Sequence, residues 1–443
     1  MQFNSIDFLF FFLPLFLAAY YLLPKSWRSG LLVAGSLLFY YFGSNEPWLT
    51  LWVLIGTTAF TYLMGVCMER LNKVQVLSFS LAVLAAILVF FKLYDGGSML
   101  PVGMSFYLFQ LAAYIIAVYR DQVRQERDLF RFGAQTMMFP KLLMGPLMDP
   151  KDLQNQVKKP VFSTEHFHRG LQELILGLAL KVLLANRIGG LWGQAGTIGY
   201  EYISTPFAWL ALIAFAAQLY LDFWGYSLMA MGLGRMLGFT LPENFIDPYA
   251  SKSVSEFWRR WHASLGAWFR DNLYIPLGGN RKGTLRTILN LLVVWIFTGV
   301  WHGVGGNYLL WAMMRLFFIV MERLWLRKLL DRSRVLCHVY TVVVILLSWI
   351  PFAIGDWDKM LIFTSKIFGL GGAGLDPTDY ITWGGKFLWL LVGGVVCATP
   401  LPRMIWNKVK DHWLTDIVLF ILFWITVYFV ATSAQDPFLY FQY

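Results

Sequence analysis

The sequence predicts an all-α, polytopic integral membrane protein. It has about eleven to twelve transmembrane helices plus re-entrant and interfacial segments, in one domain spanning residues 1–443. Three observations carry this. Of the residues, 58% are hydrophobic and only 14% charged, against roughly 25% charged in a soluble chain. Apolar stretches long enough to cross a bilayer as helices recur along the whole length. The short loops between them alternate in charge, as they do when basic loops stay on the cytoplasmic side. No Pro/Ser-rich linker, internal repeat or low-complexity tract divides the chain, which disfavours a repeat-built transporter.

Taken in order, the first five expected spans are Phe8–Leu23, Gly30–Phe42, Pro47–Cys67, Val74–Tyr94 and Pro101–Tyr119. The first shows no basic leader and no small-residue cleavage site, so it reads as a retained span. Lys25 and Arg28 follow the first span, Arg70 and Lys73 the third, and the arginine-rich RDQVRQERDLFR (Arg120–Arg131) the fifth. With these loops inside, the N-terminus is outside. MMFPKLLMGPLM (Met137–Met148) is too broken by proline and glycine for a clean span and is tolerable at membrane depth only if enclosed by protein. STEH (Ser163–His166) starts a helix, and spans follow at Gln172–Ile188 and Thr205–Leu221, then an interrupted, glycine-containing stretch, Asp222–Phe239.

Residues 241–286 are the most polar part of the chain. They contain EFWRRWHASLGAWFRDNLYIPLGGNRKG (Glu256–Gly283). Phe257, Trp261, Leu265 and Phe269 fall on one stripe with Arg259, Arg260 and Arg270 off it, the pattern of an amphipathic helix at the cytoplasmic interface. The last spans are Ile288–Trp301, Tyr308–Leu324, Tyr340–Ala353, Phe387–Ala398 and Ile417–Val430, with the basic loop RKLLDRSR (Arg327–Arg334) among them. Counting twelve crossings from outside puts the tail, residues 432–443, outside as well. The net charge of +10 is explained by this topology, not by a nucleic-acid partner.

Six histidines are present, and two stand out. His262 lies in FWRRWHASL and His302 in FTGVWHG, each directly after a tryptophan. An ionisable ring at membrane depth is costly and often marks function, although a ring bonded to a neighbouring carbonyl is the plain structural alternative. A neutral imidazole can take a proton from a hydroxyl near pH 7. Asp222, in QLYLDFWGYS, needs a partner, and Arg235 and Arg259 are available, so it reads as a structural polar residue. Cys67, Cys337 and Cys397 show no metal or disulfide spacing. No metal site is expected, since no His-x-x-x-His pair occurs. Neither a G-x-S-x-G elbow nor a Walker A loop is present. LGGNRKG (Leu277–Gly283) could meet a phosphate through Arg281 or Lys282, or be an ordinary basic turn.

Together, Leu241–Gly283 and TGVWHG closely resemble the membrane-bound O-acyltransferase family, in the bacterial branch that acetylates polysaccharides. FLFFFLPLF near the N-terminus, LPVGMSFYLFQ (Leu100–Gln110), FPKLLMGPLM (Phe139–Met148), DFWGYS (Asp222–Ser227) and FLYFQY at the C-terminus extend the likeness over nearly the whole chain. The sequence departs from the family pattern at Lys141, Trp224 and Leu228. The resemblance implies a ring of tilted helices around a central tunnel, with His302 as general base and His262 as second catalytic residue. It also implies no bound cofactor, and acetyl-CoA or another acyl-thioester as donor, which Arg259, Arg260, Arg281 and Lys282 would draw to the inner face. It implies an inner-membrane enzyme of a bacterial cell, embedded in the lipid bilayer. Its acceptor would be an exported or cell-wall polysaccharide, served by an extracytoplasmic partner with a serine nucleophile. Tyr440 in the tail DPFLYFQY would be an acyl relay, where composition alone suggests a membrane anchor. D-alanyl transfer to teichoic acid is the related alternative. A proton-coupled transporter or flippase using His302 and Asp222 is the alternative from another class.

Overall fold

The computed structural model describes residues 1–94, 99–372 and 374–432. Among them the named elements are all helical, and the only sheet-like feature is an isolated antiparallel bridge between Phe245 and Trp261. Each of the twelve apolar stretches is helical. Eight helices are long and apolar enough to cross a membrane: Pro47–Cys67, Lys73–Leu93, Thr164–Ile198, Thr205–Met236, Gly283–His302, Arg334–Ala353, Asp379–Cys397 and Trp413–Thr432. Three of the other four stretches fall in Asp7–Leu22, Arg28–Gly43 and Met104–Tyr119, each of 16 residues, and the fourth begins in Gly306–Met321, which runs on helically to Leu330. At 1.5 Å per residue a 16-residue helix is about 24 Å long, short of the roughly 30 Å hydrocarbon layer.

The described chain forms two compact units. One comprises Met1–Leu178, Tyr226–Glu243 and the segment from Leu422; the other comprises Ala179–Gly225 and Asn244–Ile421. In the first unit, Phe3, Phe8, Phe12, Phe39 and Phe139 build an aromatic core with ring centroids 5.1–6.5 Å apart. Residues 137–148 are buried throughout, as broken backbone at membrane depth requires. Their freed backbone groups find side chains. Ser36 Oγ accepts from Phe139 N at 2.9 Å, and the Gln110 amide both donates to Met148 O and accepts from Met148 N, at 3.1 and 3.2 Å.

The expected interruption at Asp222–Phe239 is absent, because the helix Thr205–Met236 runs straight through it. The glycines there serve contact, not breakage. A Cβ on Gly232 would come within 2.4 Å of the Gly170 carbonyl oxygen. Small residues of this kind let two helix backbones touch. The chain leaves the helical path only at Gly238, with φ +87°.

Candidate active site

The second unit carries both singled-out histidines. The amphipathic stripe Phe257, Trp261, Leu265 and Phe269 is buried throughout, 0–6% exposed, but it lies on two helices, not one. Val254–Arg260 begins with Ser253 Oγ accepting from Glu256 N at 3.0 Å. The Glu322 carboxylate also accepts from Val254 N at 2.6 Å and Ser255 N at 3.1 Å, satisfying donors that a helix start leaves open. Trp261 then turns extended and His262 turns left-handed, with φ 47° and ψ 50°, before Ala263–Phe269 resumes. A residue with a Cβ takes that conformation rarely, and such positions cluster at functional sites. The strand-like segment at Asn244 holds the break in place: Ile246 N donates to Arg260 O at 3.1 Å and Ala263 N to Asn244 O at 2.9 Å. Helical spacing of apolar residues cannot register a two-residue reversal that leaves the apolar face in phase.

His262 is 5% exposed. Its Nδ1 lies 3.3 Å from Asn244 Oδ1, and Ser264 Oγ donates to that same oxygen at 2.6 Å. An amide oxygen only accepts, so this network assigns the proton to Nδ1 and leaves a lone pair on Nε2. The edge of Phe223 meets the ring, with centroids 4.7 Å apart. Burial pushes the imidazole down to about 3, so the ring is neutral near pH 7.

His302 is the last residue of Gly283–His302. Gly299 lets the next helix approach, since a Cβ there would stand 3.1 Å from the Tyr308 carbonyl oxygen. The ring packs among Trp301, Trp311 and Phe352, with centroids 4.5, 4.9 and 5.2 Å away. His262 and His302 line one cavity of about 500 Å³, walled mainly by Trp258, Trp261, Trp295, Trp311, Trp349 and Phe352. A mostly apolar chamber lined by two histidines suits proton transfer.

The remaining expected residues are not all at this chamber. Arg259 lines it, and so do Arg270 and Tyr274. Arg260 instead pairs with Glu256 at 2.6 Å, and Arg281 and Lys282 sit in the turn before Gly283, away from the chamber wall. Asp222 pairs neither with Arg235, which holds Glu173 at 2.9 Å, nor with Arg259. It forms an ion pair with Lys181, both side chains 2% exposed, one position before the Phe223 that meets His262. Tyr440 and the rest of the tail from Ser433 on lie outside the described residues. Among the described residues no three His, Cys, Asp or Glu side chains converge as metal ligands would. Asn244 and Arg315 went unnoticed in the sequence, and Arg270 was seen only as one of the arginines off the apolar stripe. Of these, only Arg315 carries a signal, as a lone cation inside the apolar LWAMMRLFF.

The family model described as MBOAT, membrane-bound O-acyltransferase family, matches residues 69–335. A probable alginate O-acetylase from Pseudomonas putida is 33% identical, with all of both chains covered. A peptidoglycan O-acetyltransferase from Helicobacter pylori is 26% identical over all of this chain and 98% of its own. A teichoic acid D-alanyltransferase from Streptococcus thermophilus is 28% identical over 51% of this chain and 57% of its own.

Proposed function

This chain belongs to the membrane-bound O-acyltransferase family, and we propose that it moves an acetyl or similar short acyl group from a cytoplasmic thioester to the hydroxyls of an exported or cell-wall polysaccharide. It is a multi-pass membrane O-acyltransferase. The acceptor class rests on relatives named for alginate and peptidoglycan acetylation, which match along their whole length or nearly so, whereas the D-alanyltransferase match covers about half. End-to-end alignment with the Pseudomonas putida relative also supports reading 1–443 as one catalytic domain.

The observation that carries the mechanism is the cavity shared by His262 and His302. His302 acts as general base. It takes the proton of the attacking hydroxyl as the new C–O bond forms at the thioester carbon, and the C–S bond then breaks. The departing thiolate receives that proton. His262, neutral and held by Asn244, helps to orient the thioester. Arg259 and Arg270 on the cavity lining attract the anionic donor, acetyl-CoA or another acyl-thioester. The positive-inside rule puts that mouth in the cytoplasm and both termini outside. There an extracytoplasmic partner with a serine nucleophile receives the group, with Tyr440 of the tail as the relay.

Purified protein supplied with acetyl-CoA and a hydroxyl acceptor tests the reading. Free CoA released in step with acetylated acceptor is the expected result. Transport of either molecule without thioester cleavage would replace the enzyme by a flippase.

A further inference from the structure

The first unit carries a cavity of about 990 Å³ that shares no lining residue with the histidine chamber. It is built from the turn after the first span, the start of Arg28–Gly43, the start of Leu129–Met137 and the segment 157–162. Four cations, Lys25, Arg28, Arg131 and Lys158, line it beside one carboxylate, Asp128. Asp128 is matched to Arg131 at 3.4 Å, and Lys158 reaches Glu126 only at 3.9 Å. Lys25 is exposed, and its Nζ has neither an ion pair nor a hydrogen bond among the described residues. Arg28 is held in place. Its Nε donates to Tyr20 O at 3.2 Å, and its Cζ lies 4.2 Å from the Phe162 ring centroid and 5.4 Å from that of Tyr20. Both of these rings belong to residues that line the cavity. Arg28 Nη1 and Nη2 have no acceptor among the described residues, and neither is fully buried, so both remain open to a ligand.

The cavity is therefore electropositive, with Lys25 and Arg28 unmatched by any carboxylate on its lining. The helix Arg28–Gly43 starts there with no acidic residue in its first turn, so its positive end adds to the same field. A guanidinium with both Nη atoms open, and an ammonium three residues earlier, suit the oxygens of a phosphate group. The rim indicates what carries that phosphate. Trp27 and Phe130 line the cavity and are 66% and 60% exposed. Leu22 and Leu23, at the end of the first span, are exposed just before Lys25. Exposed apolar surface beside unmatched cations fits an amphiphile better than a small ion, and tryptophan favours the level of the lipid headgroups. The charge rule puts this turn and the arginine-rich loop at the cytoplasmic face, where basic pockets meet anionic lipids. We propose that this cavity binds the phosphodiester headgroup of an anionic phospholipid of the inner leaflet. Lys25 and Arg28 hold the phosphate, and Trp27 and Phe130 lie against the upper part of the acyl chains. The site is independent of the acyl-transfer reading and stands or falls without it.

The test follows the unfolding midpoint of the full chain, purified in detergent, as phosphatidylglycerol is titrated in. A ligand that binds the folded state raises the midpoint as its concentration passes through the dissociation constant. Wild type should show a saturable rise with phosphatidylglycerol. Phosphatidylcholine, which has a phosphate but no net charge, should give a smaller rise, and sodium phosphate at the same concentration none. The double variant Lys25→Gln with Arg28→Gln should bind phosphatidylglycerol about 25-fold more weakly, taking about five-fold for each cation. Arg332→Gln with Arg334→Gln removes the same charge from the basic loop elsewhere in the chain and should leave the affinity within about two-fold of wild type. Wild-type affinity in the Lys25 and Arg28 variant overturns the proposal, and so does the absence of any rise in wild type. An equal loss in the Arg332 and Arg334 variant overturns it too, because overall positive charge, not the cavity, would then attract the lipid. An equal rise with phosphatidylcholine removes the anionic selectivity on which the proposal depends, and a rise reproduced by sodium phosphate replaces the lipid by a soluble phosphate ligand. Should the double variant fail to fold, Lys25→Glu decides in its place, since that side chain is exposed and makes no contact to lose. It should weaken binding at least about five-fold, and unchanged affinity overturns the proposal.

Discussion

Asn244 holds the second histidine, and replacing it tests how that ring is used. Asn244→Ala removes one oxygen that serves both His262 Nδ1 at 3.3 Å and Ser264 Oγ at 2.6 Å. Asn244 is 1% exposed, and its two partners are 5% and 7% exposed, so water cannot readily replace it. Two buried donors left unsatisfied cost about 1–3 kcal/mol each. The backbone bond from Ala263 N to Asn244 O survives the substitution, so the total should fall near the lower end, about 2–3 kcal/mol. An entropy of unfolding of about 2.1 cal/mol/K per residue makes this a drop of only about 2–3 °C in the midpoint for a chain this long. Activity should suffer more, because the imidazole loses both its tautomer and its orientation, and kcat should fall at least about 10-fold. Asn244→Asp restores an acceptor but places a carboxylate beside the ring, which favours the charged imidazole; it should recover the midpoint better than the turnover. The assays are thermal unfolding in detergent and CoA release with acceptor present. Wild-type turnover in Asn244→Ala would refute the reasoning, for the orientation of His262 would then not matter.

Three further outcomes are expected. With the folded His262 at about 3 and an unfolded histidine near 6.5, the unfolded chain binds the proton first. The contribution is therefore complete above about pH 6.5 and falls as pH drops towards 3, by about 2 kcal/mol at pH 5. The unfolding midpoint of wild type should drop more between pH 7.5 and pH 5 than that of His262→Gln, and equal drops would contradict the burial argument. Charge reversal at Arg259, on the chamber lining, should raise the donor KM several-fold, an effect that shrinks as salt rises, and should exceed the effect at Arg281 or Lys282; a salt-independent loss of turnover would make Arg259 structural. Tyr440→Phe should abolish polymer acylation in cells while Tyr443→Phe does not, and mass spectrometry of the tail in a strain lacking the partner should find the acyl group on Tyr440. An active Tyr440→Phe protein leaves the tail as an anchor.

The spans were legible because hydrophobic length is a whole-segment property, and Pro47–Cys67 is recovered to the residue. His262 and His302 were legible as ionisable rings in costly surroundings, and the structure places both on one cavity. Other features depend on three dimensions. The reversal at Trp261–His262 keeps Phe257 and Leu265 buried on either side, so the apolar spacing is indifferent to it. Glycines 232 and 238 look alike in sequence, yet one admits a neighbouring backbone and the other turns the chain. Asp222 pairs with Lys181, 41 positions earlier on another helix, while Arg235 is committed to Glu173. Arg315 could have been flagged by the argument that flagged His302, since a cation inside an apolar span is at least as costly. What surrounds it is visible only in the fold.

The central claim is that His302 is the general base of acyl transfer, and it is tested most directly by turnover in His302→Ala. The protein is purified alongside wild type, shown to have an unchanged unfolding midpoint, and supplied with saturating acetyl-CoA and acceptor. Release of CoA should fall by about 100- to 10,000-fold, as removal of a general base does. Turnover near wild type in a folded His302→Ala protein would contradict the account, and the ring would then be a structural histidine at the end of its helix.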